Sequence, residues 1–178
     1  MADTYRCVRI ATPPDGPTIG TAHPPPPGER PPPFDVVVLT SNERRVRRTL
    51  LPLAGGDRVA LDLPEPVTLK HGDRLVLEDG REAEVIAGEE RLLEVTAADP
   101  ARLPALAWHI GNRHAPAQVE AGRILIAHDA VLARMLEGLG AAVREVSEPF
   151  EPERGAYHAS GHSHGQSHRH SHGRSHDH

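Results

Sequence analysis

The chain has 178 residues, of which 38% are hydrophobic and only 3% aromatic, and its formal charge is -5 with histidine neutral. That length suits one ordinary domain or two small ones, any core has to be aliphatic, and the acidic balance argues against a nucleic-acid binder. The single cysteine, Cys7, excludes an intrachain disulfide and a cysteine-built zinc centre.

No apolar run approaches the roughly 20 residues that a membrane span needs. The N-terminus has no apolar segment of the secretory type, so a soluble, cytoplasmic protein without membrane contact is expected. Residues 1–33 hold Pro13, Pro14, Pro17, four prolines from Pro24 to Pro27 and three from Pro31 to Pro33. Proline fixes φ and lacks a donor, so this segment reads as a disordered Pro-rich extension, unable to form a helix or a sheet interior.

Phe34–Thr40 (FDVVVLT) is a β-branched strand. Arg44, Arg45, Arg47 and Arg48 follow within five residues. On a strand, Arg45 and Arg47 share one face, and Arg44, Val46 and Arg48 share the other. The cluster reads either as an edge strand protected by charge or as a basic docking surface for an acidic partner. Gly55-Gly56-Asp57 and His71-Gly72-Asp73 are turns, and His71 is expected to be only solvated. Val59, Leu61 and Leu63 alternate, as do Leu75 and Leu77, and Asp79-Gly80 suits a tight primed hairpin turn before Val85 and Ile86. Residues 34–90 thus form a small all-β domain for peptide or partner binding, with no catalytic constellation.

Leu92–Thr96 is another strand. Asp99 caps a helix that opens on Pro100 and buries Leu103, Leu106, Ala107 and Ile110. Gly111 or Asn112 is expected to supply a left-handed end, and Pro116 stops continuation. Short strands follow at Gln118–Glu120 and Arg123–Ala127. Asp129 caps a second helix with Val131, Leu132, Met135, Leu136 and Leu139 on its apolar face, and Ala142–Val146 is the last strand. Residues 91–150 therefore run β-α-β-β-α-β, the ferredoxin-like order. The fold class is α+β: a small all-β domain, then a ferredoxin-like βαββαβ domain, between a disordered Pro-rich start and a His-rich tail.

That tail, residues 151–178, has no apolar periodicity and is expected to be disordered. It carries His158, His162, His164, His168, His170, His172, His176 and His178, which are eight of the thirteen histidines. Neutral imidazole suits nickel, copper, zinc and iron, and a flexible chain with so many equivalent donors binds them with high capacity and poor selectivity. Binding weakens as pH falls below about 6, because each ligand must be deprotonated. The folded part offers His109, on the last turn of the first helix, His114, five residues on, and His128, just before the second helix. One exposed histidine is a poor site. Two copies about a two-fold axis make a better one.

The segment His109-Ile110-Gly111-Asn112-Arg113-His114-Ala115-Pro116 resembles the G-N-R-H-x-P signature of the urease accessory protein UreE family. The likeness runs from about Leu39 to the tail and includes Leu61 to Pro64 and Gly72-Asp73-Arg74-Leu75-Val76-Leu77-Glu78-Asp79-Gly80. It implies a dimeric cytoplasmic nickel metallochaperone, not an enzyme, with a β-rich domain before a ferredoxin-like metal domain. On this likeness His114 is the key Ni(II) ligand at the dimer interface, with Zn(II) or Cu(II) as competing ions. His128 matches an additional metal-binding histidine of some members, whose second histidine is replaced here by Ala130. The implied partners are a second copy, a urease-assembly GTPase and the urease apoprotein complex. The Pro-rich start and Glu65-Pro66 depart from the family pattern without touching the metal motif. The alternative is a passive histidine-rich storage or detoxification protein. A metallohydrolase would need a base beside an open metal site, and no H-E-x-x-H is present. A peptide-binding folding chaperone is a further possibility for the β-rich domain.

Overall fold

The computed structural model describes residues 2–12 and 31–153. The N-terminal unit comprises β1 (Thr4–Ala11), β2 (Asp35–Leu39), β3 (Arg45–Pro52), β4 (Arg58–Thr68), β5 (Arg74–Leu77) and β6 (Glu82–Ala87), in the order β2-β6-β5-β1-β4-β3. Strand β1 corrects the expectation of an unstructured start. Prolines begin only at Pro13, so Thr4–Ala11 keeps every backbone donor. A bulge between Cys7 and Arg9 lets this strand serve two neighbours. Thr4–Arg6 run parallel to β4, and Cys7–Ala11 run antiparallel to β5. The Pro-rich stretch 13–30 lies outside the described residues.

The core of this unit is aliphatic, with Val37, Val59, Leu75 and Val85 fully buried. Tyr5 meets Phe34 edge-on with ring centroids 5.7 Å apart, and the Arg81 guanidinium covers both rings at 4.4 and 4.2 Å. The β3–β4 register shifts opposite Arg47, with Val46 facing Val67 and Arg48 facing Asp62, so the extra residues lie on β4 and the alternation expected for the arginines is reset. Arg44 and Val46 are buried, whereas Arg48 turns outward onto Asp62 at 2.9 Å. At the β5–β6 turn only Gly80 has positive φ (85°), so the hairpin is not the doubly positive primed turn that Asp-Gly suggested.

The C-terminal unit comprises β7 (Glu89–Thr96), a 3-10 turn (Pro100–Arg102), α1 (Leu103–Gly111), β8 (Ala117–Val119), β9 (Ile124–Ala127), α2 (Ala130–Gly138) and β10 (Ala142–Pro149). Its strands lie in the order β10-β7-β9-β8, with every neighbouring pair antiparallel. Both helices cover one sheet face. Leu103, Leu106 and Ile110 of α1 and Leu132 and Leu136 of α2 pack on Leu93, Val95, Ile124 and Ile126. Val131 is not on the buried stripe and is 70% exposed. Asp99 caps the 3-10 turn through the Ala101 N–H, and Asp129 caps α2 by accepting from the Val131 and Leu132 N–H groups at 2.7 and 2.9 Å. Asp129→Ala is expected to cost about 1 kcal/mol in thermal or urea unfolding.

Phe150 to Glu153 join the two units, and the bonds of Glu151 and Glu153 correct their assignment to a structureless tail. Phe150 is 1% exposed and packs on Leu92 and Leu125. The buried Arg44 donates to the Phe150 carbonyl and to Glu151 Oε1. The His71 N–H also donates to Glu151 Oε1, at 3.1 Å, while the Glu151 N–H donates to Gln118 Oε1 at 2.7 Å. Glu153 donates its N–H to the Ala117 carbonyl at 2.8 Å. His71 is more than solvated, since its Nδ1 accepts the Ala87 N–H at 3.3 Å.

Candidate metal centre

The site residues gather at one end of the second sheet. Strand β8 pairs Ala117 with Ile126 of β9, so the residues before β8 and after β9 lie at the same sheet end. That end holds the C-terminus of α1, with His109 and His114, and the N-terminus of α2, with His128.

Helix α1 closes in steps. The Asn112 N–H donates to the Trp108 carbonyl, Arg113 to Ile110, and His114 to Gly111, at 3.0, 3.0 and 2.9 Å. Asn112 stays right-handed at φ -64°, and the left-handed residue is His114 itself, at φ 54°. It is the only non-glycine with positive φ among the described residues. A side chain there costs about 1–2 kcal/mol that a glycine avoids. Strain kept at an exposed polar residue is a mark of a functional position. The turn leaves His114 exposed, beyond the helix and ahead of Pro116.

His109 is half-buried, its ring edge-on to Trp108 with centroids 5.0 Å apart. Its carbonyl accepts from Arg113 Nη1 at 3.0 Å, which satisfies one of the free carbonyls at the helix end. His128 is held by Glu145, its Nε2 lying 2.9 Å from Glu145 Oε1. Arg91 grips the same carboxylate at 2.9 Å, and Arg91 first, then His128, holds the Glu145 carboxyl below the usual range. With Nε2 donating to Glu145, the Nδ1 lone pair is the one left for a metal, an arrangement common around histidine ligands. Among the described residues no three His, Cys, Asp or Glu side chains converge as a metal cluster. The tail histidines, His158, His162, His164, His168, His170, His172, His176 and His178, lie outside the described residues.

The opposite sheet face carries an ion network that the sequence did not suggest. Glu94, 6% exposed, takes Arg144 at 2.6 Å and Arg123 at 3.0 Å. Arg123 also holds Glu120 and Glu148 at 2.7 and 2.8 Å. Hydrogen bonds from Arg144 lower the Glu94 pKa, and those from Arg123 lower that of Glu120. A carboxylate with a lowered folded pKa stabilises the fold above its ordinary value of 4.5 and loses that contribution as pH falls through the lowered value. Thermal melts are therefore expected to fall below about pH 4.5, and Glu94→Gln to flatten that acid limb.

Comparison with known proteins decides the family. Residues 18–88 match the family model for the UreE urease accessory protein N-terminal domain, and residues 90–178 match that for its C-terminal domain. The chain belongs to the UreE urease accessory protein family. It is 57% identical over 129 residues to a urease accessory protein UreE of Mesorhizobium japonicum, which covers 72% of this chain and 65% of that relative. Against the Rhizobium meliloti UreE it is 56% identical over 138 residues, covering 78% of this chain and 89% of the relative. The first UreE match ends at Gly88, after β6, and the second begins at Glu90, in β7. No helix among the described residues is long and apolar enough to cross a membrane.

Proposed function

We propose that this UreE family member is a nickel metallochaperone for urease maturation, a cytoplasmic carrier rather than a catalyst. The observation that carries the reading is His114, an exposed imidazole held in a left-handed turn at the end of α1. Ni(II) is its cargo, with Zn(II) and Cu(II) as competitors. Two copies, related by a two-fold axis, bring their His114 rings to one ion. Trp108 and Val131, 65% and 70% exposed at the same sheet end, supply apolar surface for that contact. His109 and His128 flank the site as further donors.

We read the C-terminal unit as a ferredoxin-like metal domain and the N-terminal unit as the partner-binding domain. The tail gathers ions. The bond from Glu153 to Ala117 roots it three residues from His114, and His158 is five residues further on, within about 17 Å of chain. Coordination by a few exposed imidazoles leaves positions open, so an incoming ligand binds before the old one leaves. Handover goes to a urease-assembly GTPase and the urease apoprotein. Mixing the nickel-loaded chain with purified apoprotein and assembly proteins is expected to yield active urease in the presence of a competing chelator. Activation no better than with the chelated metal alone would contradict delivery.

A further inference from the structure

Five arginines have no side-chain partner among the described residues: Arg6 and Arg9 on β1, Arg45 and Arg47 on β3, and Arg58 on β4. Every other described arginine is engaged by a carboxylate or a main-chain carbonyl. The five are all exposed, and their three strands are adjacent in the sheet.

The register puts most of them on one face. Arg58 stands opposite Thr4 and Pro52, and Arg6 stands beside Ala60, which stands opposite Leu50. The intervening Val59 and Leu51 are buried in the core, so Arg6, Arg58 and Leu50 face outward together. Arg45, next to the buried Val46, faces the same way. Leu50 is 48% exposed among these cations. Edge protection explains charge on β3, an edge strand, but not on β4, which is paired on both sides. Unpaired guanidinium groups around an exposed leucine form a surface complementary to carboxylates with an apolar centre. Base stacking has no platform here, because Tyr5 and Phe34 are half-buried beneath Arg81.

We propose that the outer face of β1, β4 and β3 docks a protein partner rich in Asp and Glu, and that the carrier meets the urease-assembly proteins through it. This rests on the proposed function. The test is calorimetric titration of the full nickel-loaded chain into purified urease apoprotein with its assembly proteins, at low and physiological ionic strength. The variants are Arg45→Glu/Arg58→Glu and the milder Arg45→Gln/Arg58→Gln. Reversal is expected to weaken binding by at least about tenfold, neutralisation by less, and both to reduce the salt dependence, with nickel stoichiometry unchanged. Variants that bind like the wild type, with the same salt dependence, would overturn the docking face and leave the chaperone reading intact. Wild-type binding to single-stranded RNA in preference to the proteins, lost in the same variants, would overturn it in favour of a nucleic-acid surface. Light scattering that showed the variants losing only self-association would assign the face to a second copy instead. A wild-type chain that bound none of the assembly proteins would sink the proposed function, and this assignment with it.

Discussion

Replacing His114 with glycine is expected to remove the specific nickel site and leave the fold as stable as before. His114 sits at φ 54°, where a side chain costs about 1–2 kcal/mol. Glycine relieves that strain, and its greater freedom in the unfolded chain costs about 0.5–1 kcal/mol in return. The unfolding free energy should therefore change by about 1 kcal/mol or less. His114→Ala keeps the strain and loses the ligand, so it is expected to be the less stable of the two. Both lose one imidazole from each copy of a shared site, and nickel affinity should fall by at least about 100-fold, since even loss of an outer partner costs 10–100-fold. Urease activation in cells that carry only the His114→Gly chain should fall accordingly. Full activation with that chain would mean that the ion is held elsewhere.

The position of a tail truncation matters more than its length. A chain ending at Glu153 loses eight of thirteen histidines and keeps the contacts of Phe150 and Glu151. It is expected to fold normally, to lose most of its low-affinity metal capacity, and to keep the tight site. A chain ending at Val146 also loses Phe150, which is 1% exposed between Leu92 and Leu125. It further strips the buried Arg44 of both its partners. Removal of a buried phenylalanine costs about 3–5 kcal/mol, and an uncompensated buried cation adds to that. Urea unfolding of the two chains separates metal capacity from structural support. Equal stability would show that the Phe150 junction contributes nothing to the fold.

Periodicity was legible where one face of an element is buried. The stripe of α1, the capping aspartates Asp99 and Asp129, and the alternation of Val59 and Leu61 on β4 follow from spacing and hydrogen-bonding chemistry alone. The segment His109–Pro116 stood out through its resemblance to the UreE signature, whereas spacing alone left His114 a single exposed histidine. Three features were not legible. The prolines of the first segment masked Thr4–Ala11, a strand whose partners lie more than fifty residues away. The register shift opposite Arg47 reset the arginine pattern, and its extra residues, Leu63 to Pro66 of β4, lie well along the chain from the arginines. Arg44 read as one of four surface cations, yet its role is set by residues more than a hundred positions later. Long-range pairing of this kind leaves no period in the sequence.

The most direct test is nickel titration of the chain ending at Glu153, with mass in solution followed by light scattering. One tightly bound Ni(II) per two chains, lost on His114→Gly, is the result that a shared His114 site requires. No tight site in that chain would contradict it and leave the histidine tail as the metal-binding part, and one ion per monomer indifferent to His114 would contradict it and place the site elsewhere in the folded part.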